Sequence, residues 1–390
     1  MNFPELLKLL LGALLCLTAL QGATAPRLPA DEREVLERLP IKPGDPVAAE
    51  LRGLRTAAAA VPSDPAAAVA LARRYFELAM SLGDPRYVGY AEAALQPWNG
   101  AERAPAGNLV LRALLRQYRH DFDGALADLT SALEIDPRDG DAHAWRAAIF
   151  MVRADYPAAA GECAALATLG KEPQASACSA YVAATTGQAR SGYARLIDAL
   201  ARAPDAGQRL WILTRLAEIA WRLGDTAAAE RHFRAALALE VSDNFLLAAY
   251  ADFLLEQRRS REVVALLGDW TQSDTLLLRL ALAERDLGLP GAQRHGQALG
   301  ERFAAAAARG ERLHLSEEAR YQLELRGDAN AALAAAAENW KSQREPRDAL
   351  VLLQAAQAAR DPAAAEPGLA WLARSGFEHE GMRRLAAGMR

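Results

Sequence analysis

Cysteine is scarce in this chain, aromatic residues make up only 6% of it, and no tract of like charge occurs. Each shortage excludes something. The three cysteines form no Cys-x-x-Cys, and the six histidines (120, 143, 232, 295, 314 and 379) are scattered without metal-ligand spacing. No metal site is therefore expected. Lys and Arg are interspersed with Asp and Glu, and the net charge is −4. The basic face that nucleic-acid binding requires is missing, so no nucleic-acid partner is expected. The apolar run Leu9 to Leu20, broken only by Thr18, is too short for a membrane span of ~20 residues. Val, Ile and Thr are sparse, and no stretch alternates with the period of a strand.

Catalytic signatures are missing as well. Gly170-Lys171 lacks the upstream glycine of a phosphate loop and is followed by Glu172. His379-Glu380 stands alone, without a His-Glu-x-x-His, and no Gly-x-Ser-x-Gly occurs. The expectation is a protein without catalytic residues or a cofactor.

What is present is alanine. The chain is 52% hydrophobic, and alanine dominates that share. Alanine is the best helix former because it loses no side-chain entropy. An interior filled with small residues lets helices approach closely. The expected fold is all-α.

The N-terminus differs from the rest. Lys8, the apolar run and Ala23-Thr24-Ala25 read as a signal peptide over residues 1–25. The same run also fits a first amphipathic helix. Cys16 raises lipidation, though Leu15 is a poor residue before a lipobox cysteine. Residues 26–45 form a Pro-rich linker with one short helix, Asp31 to Arg38. Removal of the leader leaves Cys163 and Cys178. In an oxidising compartment these two form a disulfide or stay as buried thiols. Periplasmic or secreted localisation follows from the leader, with membrane tethering if it is not cleaved. After its removal no membrane span remains.

The body of the chain repeats. Leu213-x-x-Leu216-Ala217-x-x-Ala220 leads into Leu223-Gly224-Asp225, then Ala229-x-x-x-Phe233-x-x-Ala236. A second copy reads His120-Asp121-Phe122, Ala125, Leu129, Ala132, and a third reads Asp155-Tyr156, Ala159, Cys163, Leu166. A fourth carries Tyr250-Ala251-x-x-Leu254 and Val263-x-x-x-Leu267. Ala125 and Ala159 are 34 residues apart, as are Ala229 and Val263. Weaker copies surround Leu82-Gly83-Asp84, Thr186-Gly187-Gln188, Leu287-Gly288, Arg326-Gly327-Asp328 and Asp361-Pro362. Near residue 300 the second helix reads as too long, with Gln293 and Ala332 spaced 39 apart, so an irregular junction is expected there.

This pattern resembles the tetratricopeptide repeat, of bacterial exported type: large residues on helix A, a glycine turn, then small, aromatic and small residues on helix B. The resemblance implies a right-handed α-solenoid of about eight to nine hairpins over residues 46–376, with residues 377–390 as a C-terminal tail or cap. It also implies a concave groove lined by helix A. The groove set read from that register is Tyr118, Tyr181, Trp211, Glu218, Trp221, Arg222, Asp252, Glu256, Arg285 and Tyr321. Aromatics and Arg are the usual interface anchors. Exchange of Arg222 and Glu256 is accordingly expected to leave stability unchanged. Trp340 and Trp371 are expected to pack the last repeats. The function implied is a non-enzymatic scaffold of the bacterial cell envelope that binds a peptide or partner protein. The alternative is a periplasmic assembly factor or chaperone for an exported protein or secretion system.

Overall fold

A computed structural model describes residues 45–99, 104–311 and 313–389. The expected leader and all of the linker except Asp45 lie outside the described residues. The chain divides into two compact units, residues 1–53 and 54–390. Twenty α-helices and no strand are found among the described residues.

Helix α1 is Pro46–Ala60. From Pro65 the helices pair into nine hairpins. Hairpin 1 joins α2 (Pro65–Leu82) to α3 (Arg86–Leu95), and hairpin 2 joins α4 (Ala106–Tyr118) to α5 (Phe122–Ile135). Hairpin 3 is α6 (Gly140–Val152) with α7 (Tyr156–Thr168), and hairpin 4 is α8 (Gln174–Thr185) with α9 (Ala189–Arg202). Hairpin 5 is α10 (Ala206–Arg222) with α11 (Thr226–Leu237), and hairpin 6 is α12 (Asn244–Glu256) with α13 (Ser260–Leu267). Hairpin 7 is α14 (Asp274–Asp286) with α15 (Gly291–Ala308). Hairpin 8 is α16 (Leu315–Arg320), prolonged by a π-helical turn Tyr321–Arg326, with α17 (Ala329–Trp340). Hairpin 9 is α18 (Pro346–Ala358) with α19 (Glu366–Ser375), and α20 (Glu380–Ala387) follows. This is an all-α solenoid of stacked helical hairpins.

One local device makes every hairpin. A residue in the left-handed region stops the first helix: Gly83, His120, Ala154, Gly187, Gly224, Arg258, Gly288, Gly327 and Arg360. In hairpins 2, 3, 5 and 8 the next residue is an aspartate, whose amide bonds back to the helix just ended, for example Asp121 N to Arg116 O at 2.9 Å. The side chain of that aspartate then caps the second helix. Asp121 accepts from Gly124 N at 3.0 Å, Asp155 from Ala158 N at 3.1 Å and Asp225 from Ala228 N at 2.9 Å. One residue pair thus satisfies orphan groups at both helix ends.

Five residues beyond each turn residue comes the position where helix B meets helix A. It holds Val88, Ala125, Ala159, Ala229, Val263, Ala332 and Ala365, none more than 2% exposed. Hairpin 4 has Gly192 there; a Cβ on it would lie 2.5 Å from Ala180 O, so even alanine is excluded. Hairpin 7 breaks the series. Leu289 stands where other turns have aspartate, Pro290 follows it before the second helix, Gln293 is exposed, and the buried His295 packs instead, its Nδ1 2.7 Å from Glu284 Oε2. The expected irregularity near residue 300 is this 18-residue helix followed by the π-helical turn.

Cys163 on α7 and Cys178 on α8 are joined in a disulfide with Cα atoms 5.5 Å apart. Cys163 is wholly buried. The bridge ties hairpin 3 to hairpin 4. Its 15-residue separation corresponds to about 3 kcal/mol of unfolded-state restriction. Cys163→Ser with Cys178→Ser is therefore expected to lower the melting temperature, and reductant to act only on the wild type. Equal melting of the wild type with and without reductant would contradict this.

Candidate functional site

The late hairpins return to the early ones. Gln343 Nε2 lies 3.2 Å from His120 Nδ1, Arg344 N donates to Val152 O at 2.8 Å, and Trp371 Nε1 donates to the Tyr156 hydroxyl at 2.9 Å. Trp340 and Trp371 stand edge to face, 6.1 Å apart. Between hairpins 4 to 9 their first helices enclose a chamber of about 710 Å³, closed on one side by residues that follow α19.

Of the expected groove residues, Tyr181, Glu218, Trp221, Arg222, Asp252, Glu256 and Arg285 line this chamber. Trp211 stands beside it, 37% exposed, edge-on to Tyr181 at 5.7 Å. Tyr118 lies apart; burial, aided by Asp274 and Asp84 and opposed by Arg119, pushes its phenol up to about 12. Tyr321 requires a correction. Its ring packs on Phe303 at 5.5 Å inside the apolar core, and its hydroxyl sits over Gly300. The π-helical turn that begins at Tyr321 changes the residue spacing, so the ordinary helical register does not hold there. Arg320 takes the inward place.

The chamber wall carries seven arginines (215, 222, 258, 279, 285, 320 and 347) and seven carboxylates (218, 252, 256, 286, 317, 324 and 345). Helix spacing aligns them. Arg215, Glu218 and Arg222 share one face of α10, and Glu317, Arg320 and Glu324 share one face of α16 and its extension. Asp252 is the hub. It accepts from Arg279 at 2.6 Å and from Arg320 at 2.9 Å. Burial works to raise its carboxyl, but the two guanidinium groups outweigh it and hold the carboxyl below its usual value. Arg215 donates to Glu218 at 2.7 Å and lies over three rings, Phe245 at 4.3 Å, Tyr181 at 4.9 Å and Trp211 at 5.7 Å. Arg347 approaches Phe245 at 5.7 Å. The Nε of Arg215 is buried without a hydrogen-bond partner. Such a wall offers paired charges and ring faces but no excess of either sign.

Sequence reading missed Arg215, Phe245, Arg279, Glu317, Arg320, Glu345, Arg347, Phe377 and His379. The signal for Arg215 and for Glu317 with Arg320 was present as charges at i, i+3, i+7, which also describes an ordinary solvated face. No signal placed Arg347 or Phe377, because these come from the returning hairpin. No group of three or more metal-ligating side chains is found among the described residues. No described helix is long and apolar enough to cross a membrane.

Two imidazoles mark the returning contacts. Burial lowers His120 to about 4, aided by His314 and Arg347 and opposed by Glu317 and Glu345. Burial also lowers His379 to about 4, aided by Arg222 and Arg384. His379 Nδ1 accepts from Met382 N at 3.3 Å and caps α20. Both groups are neutral when folded, whereas an unfolded histidine takes a proton near ~6.5. Their contribution is whole above that value and is lost as pH falls towards 4. Asp348, raised to about 6 by burial, acts in the opposite direction. The test is therefore differential. The melting temperature of His379→Gln is expected to fall less than that of the wild type between pH ~7.5 and ~5.5. Equal falls would place His379 in contact with water.

No family model matches the chain, and no curated protein does. Several solved structures are similar along most of its length. Yeast Tom70 is 14% identical with a TM-score of 0.43; the match covers 82% of this chain and 61% of that one. A human IFIT1 dimer with m7Gppp-AAAA is 14% identical with a TM-score of 0.45, covering 84% and 86%. The APC/C hetero-tetramer Cut9–Hcn1 is 12% identical with a TM-score of 0.41, covering 88% and 80%. The chain thus spans less than two thirds of Tom70.

Proposed function

We propose that this protein is a non-enzymatic interaction scaffold of the bacterial cell envelope that seats an extended peptide or a partner-protein segment in the chamber of hairpins 4 to 9. The chamber carries this reading. Its wall combines aromatic rings with seven arginines and seven carboxylates, so it matches a mixed-charge polypeptide better than a polyanion. Rigid stacked hairpins suit an extended ligand because each hairpin adds another contact without ordering cost.

Export to the periplasm is part of the proposal. Leu9 to Leu20 with Ala23-Thr24-Ala25 supports it. The Cys163–Cys178 bridge supports it independently, since structural disulfides persist in oxidising compartments.

The test is positional. A photo-crosslinking residue is placed at Trp211, beside the chamber, and separately at Ile135, which is 57% exposed on α5. In intact cells the first position is expected to give discrete adducts in the periplasmic fraction and the second none. Equal labelling at both positions, or adducts in neither, overturns the reading.

A further inference from the structure

The segment that closes the chamber is not a tenth hairpin. After α19 ends, Gly376 to His379 has no regular secondary structure and lies against the turn of hairpin 4, the start of its second helix and the first helix of hairpin 5. Gly376 turns in the left-handed region and passes close to Gly187; a Cβ on Gly187 would lie 3.3 Å from Gly376 O. Phe377 is 4% exposed, with its ring 4.2 Å from the Arg222 guanidinium. Glu378 Oε2 accepts from Ala189 N at 2.5 Å, at the start of α9. Glu378 O accepts from Arg222 Nη1 at 3.5 Å. Here the inner face already holds an irregular peptide: a ring beneath Arg222 and a carboxylate on the helix N-terminus.

That arrangement defines what the face recognises. The Arg222 guanidinium offers a flat cation to a ring and one N–H to a main-chain carbonyl. The first amide of α9 is an orphan donor reinforced by the helix dipole, so it prefers an anion. The two features are spaced for adjacent residues, since Phe377 and Glu378 occupy them. The 8-residue α20 beyond is too short to hold itself as a helix in isolation. The segment packs its Phe377 ring 5.4 Å from Trp371 and buries Met382, and its tether adds a high effective concentration to those contacts.

We propose that Gly376 to Ala387 is a replaceable latch, and that the partner is a polypeptide segment carrying an aromatic residue followed directly by a carboxylate, which takes the places of Phe377 and Glu378. This rests on the scaffold reading above, and names the chemistry of its ligand.

The probe is a fluorescein-labelled synthetic peptide with the sequence of residues 374–387, titrated by anisotropy against the full chain. Wild type, with its latch in place, is expected to bind it weakly. A full chain carrying Phe377→Ala and Glu378→Ala is expected to bind it roughly ten-fold more tightly or better, because the tethered competitor is weakened. Peptides carrying Phe377→Ala or Glu378→Gln are expected to lose about ten-fold each against that chain. Hydrogen exchange over residues 376–387 should rise in the variant while hairpins 4 and 5 stay protected. Three peptides of equal affinity, or no gain in the variant chain, overturn the proposal. A latch that stays protected in the variant, or a variant that unfolds as a whole, overturns it too: the segment is then a fixed part of the fold. Crosslinking from Trp211 reads the scaffold function separately. Adducts there together with a failed peptide assay would retain the scaffold and discard the latch.

Discussion

Phe233→Ala is expected to destabilise the protein by about 3–5 kcal/mol, the range for deleting a buried ring. The side chain is wholly buried on α11, one turn beyond the buried Ala229. Its ring lies 5.2 Å from Tyr250 and 5.5 Å from Phe253, both on the first helix of the next hairpin. Trp221 stands edge to face on Phe253 at 5.8 Å. Phe233 is therefore the wedge between hairpins 5 and 6. In a stacked array stability is a sum of hairpin terms and nearest-neighbour interface terms. Removing the wedge takes away one interface near the middle and leaves a cavity that rigid helices cannot collapse around. Denaturant unfolding checks this. Phe233→Leu should recover part of the loss, and Ile135→Ala, at an exposed position, should stay within about 0.5 kcal/mol of the wild type. A loss below about 1 kcal/mol for Phe233→Ala would mean that the ring is not the wedge.

The local part of this fold was legible because each hairpin repeats the same small code. A small residue at the crossing point and an aspartate after the turn can be read in hairpins 2, 3 and 5 without any structure. Glycine was the less reliable marker. His120, Ala154, Arg258 and Arg360 occupy the left-handed turn position without it, because the backbone bonds around the turn hold the conformation in place. Register failed where the chain departs from one helix type. In α15 the packing position moves from Gln293 to His295, and the π-helical turn takes Tyr321 into the core. Neither leaves a periodic trace. The chamber was half legible for another reason. Periodicity reports which residues share a helix face, not what that face meets. Inward charges on α10, α12 and α14 could be read, but the return of hairpins 8 and 9 and the latch onto that face is set by contacts 156 to 223 residues apart. The leader and linker fall outside the described residues.

Arg222 shows the consequence for a mutation. As a member of an open groove it would tolerate reversal to glutamate. In the folded chain it is only 8% exposed, Nη2 donates to Ala184 O at 2.6 Å, and the guanidinium covers the Phe377 ring. Burial pulls its pKa down from the usual arginine value, with Tyr181 and Glu218 opposing that pull, and the group stays charged. Glutamate there would face the carbonyl oxygens of Ala184 and Glu378, which are acceptors, with Glu218 one turn away on the same helix. A buried unpaired charge of this kind costs about 3–5 kcal/mol. Arg222→Glu should therefore melt well below Arg222→Met, which loses the hydrogen bonds but buries no charge. The new carboxyl would have a raised pKa in the folded state, so its stability is fullest at low pH and is lost as pH rises. The gap between the two variants should narrow from pH ~7.5 to ~5. Glu256→Lys, at the exposed end of α12, should change melting little. Were Arg222→Glu to melt like the wild type, the guanidinium would be facing water, and Phe377 and Glu378 would not be seated on it in solution.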